Sequence, residues 1–128
     1  MSDGETRKIV WSSFFTPYTE TSVKTNVPQG KGVYLLWVKY STGRWECFYV
    51  GQADDLQKRL LDHLSDQEEN KCIKENVKYT CGFYYANVSL QSDRDGIEKA
   101  LYDYYETPCN QNDPGGTPIH LNVPAKKT

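Results

Sequence analysis

Residues 32–50 are built to fold back on themselves. The runs GVYLLWVKY (32–40) and WECFYV (45–50) are rich in β-branched and aromatic residues, and Ser41-Thr42-Gly43-Arg44 between them is a turn signal, so the segment predicts a β-hairpin. The first run is apolar at both alternating positions. Both of its faces need cover, which predicts a central strand. A two-residue loop at Thr42-Gly43, or a four-residue loop at 41–44, pairs residue i with residue 85 − i. Tyr34 then faces Gly51 and Leu36 faces Tyr49, which makes Tyr34 and Tyr49 diagonal neighbours on one face. A three-residue loop would put them on opposite faces. Gly51 opposite Tyr34 leaves space for a substrate or for an accessible phenol.

The rest of the chain reads as elements around this hairpin. Residues 1–31 are polar, with Pro17, Pro28 and Gly30, and are expected to form an arm of short irregular pieces docked by Trp11, Phe14, Phe15 and Tyr18. Residues 53–65 predict a helix, with Leu56, Leu60, Leu61 and Leu64 as its apolar stripe and Arg59 and His63 stacked four apart at its edge. Residues 66–77 are charged and open to either a loop or a helical turn. Residues 78–88 predict a third strand, bulged at Gly82. Ser92 is the expected cap of a second helix that carries Ile97 and Leu101 inward and stops at Thr107-Pro108. Residues 119–123 predict a short edge strand and 124–128 a frayed end. The sum is one small layered α/β (α+β) domain over 32–123, preceded by the arm.

Bulk properties exclude several classes. The chain has 128 residues, enough for a core without staples, and no apolar run long enough to span a bilayer. Its start, MSDGE, lacks the apolar region of a secretory signal. Cys47, Cys72, Cys81 and Cys109 are scattered with no C-x-x-C pair, so neither a zinc ribbon nor a disulfide framework is indicated; reduced thiols in a cytoplasmic protein are expected. A formal net charge of −2 argues against strong sequence-blind binding of DNA by this chain alone.

What remains is an ordered set of polar groups: Gly32-Val33-Tyr34, Tyr49-Val50-Gly51, Arg59, His63, Glu98 and Asn110. Each alone reads as a strand aromatic, a solvated helix charge or a turn residue. Together, in this order, the set resembles that of the GIY-YIG nuclease superfamily, from about Gly32 to Asn110. The resemblance implies a three-stranded antiparallel sheet flanked by helices, and hydrolysis of DNA phosphodiesters with one divalent cation, Mg²⁺ or Mn²⁺. It implies catalytic roles for Tyr34, Tyr49, Arg59, His63 and Glu98, with Glu98 as the metal ligand. Gly51, Gln52 and Lys58 would meet the substrate, and Gly32 and Asn110 would give structural support. One carboxylate can hold Mg²⁺ when waters and a phosphate oxygen complete the octahedron. The Arg59 fork suits a phosphate whose charge grows in the transition state. His63 could share the work of a base or contact the leaving oxygen. Many members carry Lys, Ser or Arg after the second tripeptide; here it is Gln52, so charged assistance from that position is missing. Nucleic acid is the expected partner, recognised by shape or delivered by a partner protein, with no membrane association. A non-catalytic nucleic-acid or protein-binding module on the same scaffold is the alternative.

Overall fold

A computed structural model describes residues 6–112, 114–118 and 120–123. Its centre is a three-stranded antiparallel sheet. Strand β2 (Gly32–Lys39) lies between β3 (Trp45–Ala53) and β4 (Cys81–Asn87). Four helices surround it: α1 (Glu20–Asn26), α2 (Leu56–Leu64), α3 (Lys71–Asn76) and α4 (Gln91–Tyr105). Strands β1 (Thr6–Arg7) and β5 (His120–Leu121) form a separate parallel pair. The expected edge strand over 119–123 therefore pairs with the N-terminal segment and not with the main sheet. Ile119 and residues 1–5 and 124–128, including the tail expected to fray, lie outside the described residues.

The period-two pattern of β2 divides the core. Tyr34, Leu36 and Val38 pack with Phe48, Phe83, Leu56, Leu60 and Ile73 on one face. Val33, Leu35 and Trp37 pack with Val50, Ile97 and Leu101 on the other. Each large side chain buried here contributes about 1.5–3 kcal/mol relative to an exposed one, which is why β2 needs cover on both faces.

The hairpin reaches the expected register by a different route. Tyr34 pairs with Gly51 and Leu36 with Tyr49, but beyond Leu36 the pairing shifts, so Trp37 faces Cys47 and Lys39 faces Trp45. The loop is thus residues 40–44, closed by the Gly43 N–H to Tyr40 carbonyl bond, with Gly43 at φ 90. An odd-numbered loop would put the two tyrosines on opposite faces. A bulge at Phe48 cancels the offset, because Phe48 and Tyr49 both turn toward the same core. Gly82, where a bulge was expected, is in regular register opposite Trp37, and its missing side chain makes room for the Phe14 ring.

Both sheet edges are covered. Residues 12–18 run along β4, with the Phe15 and Phe83 backbones bonded to each other at 2.9 and 3.0 Å. The segment expected to be irregular also holds α1, whose Thr19 and Ser22 form a capping box. Helix α2 starts at Leu56, not residue 53, because the Asp55 side chain accepts from the Lys58 N–H as its cap. Helix α3 resolves the ambiguous stretch, capped by Asn70. Helix α4 starts at Gln91, so Ser92 lies inside it and is no cap. The turn before it is held by buried Arg94, which donates to the Val88 and Ser89 carbonyls at 2.9 and 2.8 Å.

The expectation of four reduced thiols is corrected. Cys72 and Cys109 form a disulfide, while Cys47 and Cys81 are free and buried. The two partners are 37 residues apart in sequence, and nothing in their spacing marks them as neighbours.

Candidate active site

On the α2 side of the sheet the hairpin and α2 bring four of the expected residues together. The Tyr34 and Tyr49 ring centroids are 6.1 Å apart. The Tyr34 hydroxyl lies 2.7 Å from His63 Nε2, and the His63 ring stands edge-on to Tyr49 at 5.3 Å. Arg59, one turn before His63, lies close enough to the Tyr49 phenol for its positive charge to lower the phenol against the effect of burial. Gly32 allows the close approach of β4, because a Cβ there would collide with the Ala86 carbonyl and Leu56.

Gly51 plays a different part from the one expected. The Tyr34 ring itself fills the space over Gly51, and Tyr34 has no exposed surface. The phenol with partial access is Tyr49. Burial pushes both phenols up. At Tyr49 the Arg59 cation works against the shift, while the negative charge of Glu98 adds to it.

Glu98 approaches from α4, half-buried, with Gln52 between it and the hairpin. The Gln52 side-chain amide donates to Glu98 Oε1 and to Asp95 Oδ1, both at 2.8 Å. Gln91 donates to Gln52 Oε1 at 2.6 Å and to Asp95 Oδ1 at 2.8 Å. Burial raises the Glu98 carboxyl, opposed by the Gln52 hydrogen bond and reinforced by the Asp95 charge. Gln52 is therefore the latch between β3 and α4. Lys58 is not drawn into the cluster; it is exposed and pairs with Asp62 at 3.2 Å.

Asn110 clamps the outer edge of β3. It accepts from the Val50 N–H at 3.0 Å and donates to the Val50 carbonyl at 2.9 Å, while the Thr107 hydroxyl donates to its Oδ1 at 2.6 Å. Asn110→Ala leaves these edge groups to water and is expected to cost about 1–3 kcal/mol, measured as a lower midpoint in urea unfolding. An unchanged midpoint would show that the clamp carries no stability.

One member of the cluster had no sequence signal. Glu68 Oε1 lies 2.5 Å from His63 Nδ1, and its Oε2 accepts from the Asn70 N–H at 2.8 Å. α2 ends at Leu64, so the separation of five between His63 and Glu68 follows no helical period. Asp95 was not among the expected site residues, although its spacing of three from Glu98 does put both on one helix face. Beside the cluster lies a cleft of about 470 Å³ lined by Arg59, Asp62, Ser65, Gln67, Glu68 and Glu69.

His63 is 1% exposed, and its burial holds the imidazole below its ordinary 6.5 despite the Glu68 hydrogen bond. Burial opposes the charge on Glu68, but the Asn70 N–H and His63 outweigh it and lower its carboxyl. Both shifts have the same sign for stability. A depressed folded pKa means the unfolded chain binds the proton more readily, so stability present above pH 6.5 is lost as pH falls, first through His63 and then below 4.5 through Glu68. Urea midpoints measured from pH 7.5 to 5 should fall in the wild type and fall less in His63→Gln; equal slopes would contradict this origin.

Among the described residues no group of three or more His, Cys, Asp or Glu converges as a ready-made cage. Glu98, with Asp95 next to it, does fit a hard cation, which needs only one or two carboxylates when waters complete the shell. All these donors are oxygen, which suits Mg²⁺ or Mn²⁺ over a thiolate-seeking metal.

A three-stranded antiparallel sheet flanked by helices on both sides is the fold of GIY-YIG endonuclease domains. Solved structures with this fold include the N-terminal GIY-YIG endonuclease domain of UvrC from Thermotoga maritima. Its magnesium-bound form matches at a TM-score of 0.51 and 22% identity, over 69% of this chain and 94% of that one. Two point mutants bound to the catalytic divalent cation match at TM-scores of 0.51 and 0.52 and identities of 22% and 20%, over 70% of this chain and 96% of theirs. No protein-family model and no curated protein matches the sequence. No helix among the described residues is long and apolar enough to cross a membrane.

Proposed function

We propose that this protein is a divalent-metal-dependent endonuclease that hydrolyses DNA phosphodiester bonds. The observation that carries the reading is the gathering of Tyr34, Tyr49, Arg59 and His63 in one cluster, with the Glu98 carboxylate close enough to act on both phenols. The similar Thermotoga domain is bound to a catalytic divalent cation. Glu98 would hold Mg²⁺ or Mn²⁺ here, and such a cation when bound polarises a phosphate oxygen and steadies the attacking water. Arg59 clamps the phosphate with its planar fork. Tyr49, partly exposed beside Arg59, orients the phosphate or the water. Tyr34 and His63 form the supporting layer behind it. Gln52 borders the substrate, Gly51 makes room for the Tyr34 ring behind it, and Lys58 offers a second positive charge at the rim. A chain with a net charge of −2 holds nucleic acid through few phosphate contacts, so shape recognition or a partner protein supplies the rest. The Cys72–Cys109 disulfide is the one feature that pulls against the expected reducing cytoplasm.

The test is a panel of duplex, flapped, branched and single-stranded DNA with Mg²⁺ or Mn²⁺. Cleavage of at least one substrate, abolished by chelator, is expected; silence on every substrate with every metal sinks the proposal. The second reading, a binding module on the same scaffold, is favoured by Gln52, which already occupies one oxygen of Glu98. Nucleic-acid binding that ignores both metal and Glu98→Ala would support it.

A further inference from the structure

The geometry points to Glu68 as the positioning residue that makes His63 a hydrogen-bond acceptor toward Tyr34, an assignment of function that rests on the nuclease reading above. A carboxylate only accepts hydrogen bonds, so the contact of Glu68 Oε1 with His63 Nδ1 puts the imidazole proton on Nδ1. Nε2 of the neutral ring is then free to accept, and it lies 2.7 Å from the Tyr34 hydroxyl. Tyr34 is fully buried, so His63 is the group that draws on its O–H bond and sets the electron density on its oxygen. Glu68 is itself fixed, because its other oxygen accepts from the Asn70 N–H and α3 begins at the next residue. The order Glu68–His63–Tyr34 therefore places His63 on the base side of the reaction, and not at the leaving oxygen. A second proton on His63 would turn Nε2 into a donor and reverse the Tyr34 bond, so His63 no longer draws on the phenol proton and activity falls on the acid side as the ring charges.

The groups facing His63 are Tyr34 from β2, Tyr49 from β3, Arg59 and Asp62 from α2, and Glu68 from the loop after α2. Arg59 disfavours the charged ring, whereas Glu68 and Asp62 favour it. Glu68→Gln keeps an acceptor for Nδ1–H but removes a negative charge. In the nuclease assay this variant should lose on the order of 10- to 100-fold in kcat with little change in KM, and its acid limb should move to lower pH. A merely structural Glu68 would lower the plateau without moving the limb.

An independent measurement needs no activity. The chain has two histidines, so histidine-selective ¹⁵N NMR of the full, metal-free protein resolves His63. Protonated Nδ1 with unprotonated Nε2, and a His63 titration that moves to lower pH in Glu68→Gln, are expected. The opposite tautomer, or a titration and acid limb that Glu68→Gln leaves in place, overturns the assignment. If the wild type cuts no substrate, the nuclease reading fails, and the tautomer and the titration shift still decide whether Glu68 sets the state of His63.

Discussion

Arg59→Ala and Glu98→Ala should each reduce the proposed metal-dependent DNA cleavage by at least about 10²–10³-fold, the scale on which one charge-stabilising group supports a transition state. Both groups act on charge. Glu98 is the half-buried carboxylate of the site, its carboxyl raised by burial and the Asp95 charge against the Gln52 hydrogen bond, and a bound divalent cation would favour its ionised form. Arg59 already places its positive charge beside the partly exposed Tyr49 phenol. Arg59→Lys should not restore the rate, because a point charge cannot reproduce two-pronged contact with phosphate. Glu98→Gln should be as inactive as the alanine variant, since an amide keeps the shape and the Gln52 contact but loses the charge. Neither side chain is a main packing element of the core, so the variants should melt within a few degrees of the wild type. Single-turnover cleavage at saturating Mn²⁺ is the measurement. Wild-type rates in folded Arg59→Ala or Glu98→Ala protein would remove these residues from the reaction.

Loss of the Cys72–Cys109 disulfide has the largest expected effect on stability. Its partners lie 37 residues apart, and closing a loop of that size in the unfolded chain is worth about 4 kcal/mol on chain-entropy grounds. For a domain of this size that is a fall on the order of 10 °C in Tm. The bond also joins two parts of the site. Cys72 sits in the first turn of α3, just after the Glu68 loop, and Cys109 precedes Asn110 and donates its N–H to the Phe48 carbonyl at 2.9 Å. The Asn70 side chain reinforces the junction by donating to the Cys109 carbonyl at 2.9 Å. Reductant should therefore lower the Tm of the wild type and leave that of the Cys72→Ser/Cys109→Ser double variant, already low, unchanged. Four titratable thiols in the unfolded, unreduced protein, with a melt that reductant does not move, would show that the pair is not bonded.

The contrast between Arg59 and Glu68 shows where sequence reasoning reached and where it stopped. Arg59 and His63 are one helical turn apart, so their neighbourhood is local, and Leu56 and Leu60 set which side of α2 turns inward. The same holds for β2, whose unbroken apolar run demands cover on both faces, and for Tyr34 and Tyr49, whose pairing follows from strand periodicity. Even there the route differed. The loop has an odd number of residues, and only the bulge at Phe48 returns both tyrosines to one face. Gly51 was legible as a gap, but not which ring would fill it.

Periodic local order, the hairpin and the helix stripes were determined by the sequence, because each depends on residues within a turn or a strand of one another, and the polar set was legible only as an order along the chain. The Glu68–His63 contact, the Gln52 bridge to Asp95 and Glu98, the Asn110 clamp on Val50 and the Cys72–Cys109 bond were decided only by the tertiary structure. Their partners meet across loops or between elements, where neither the 3.6-residue nor the 2-residue period carries information and the packing of the whole chain sets the distance.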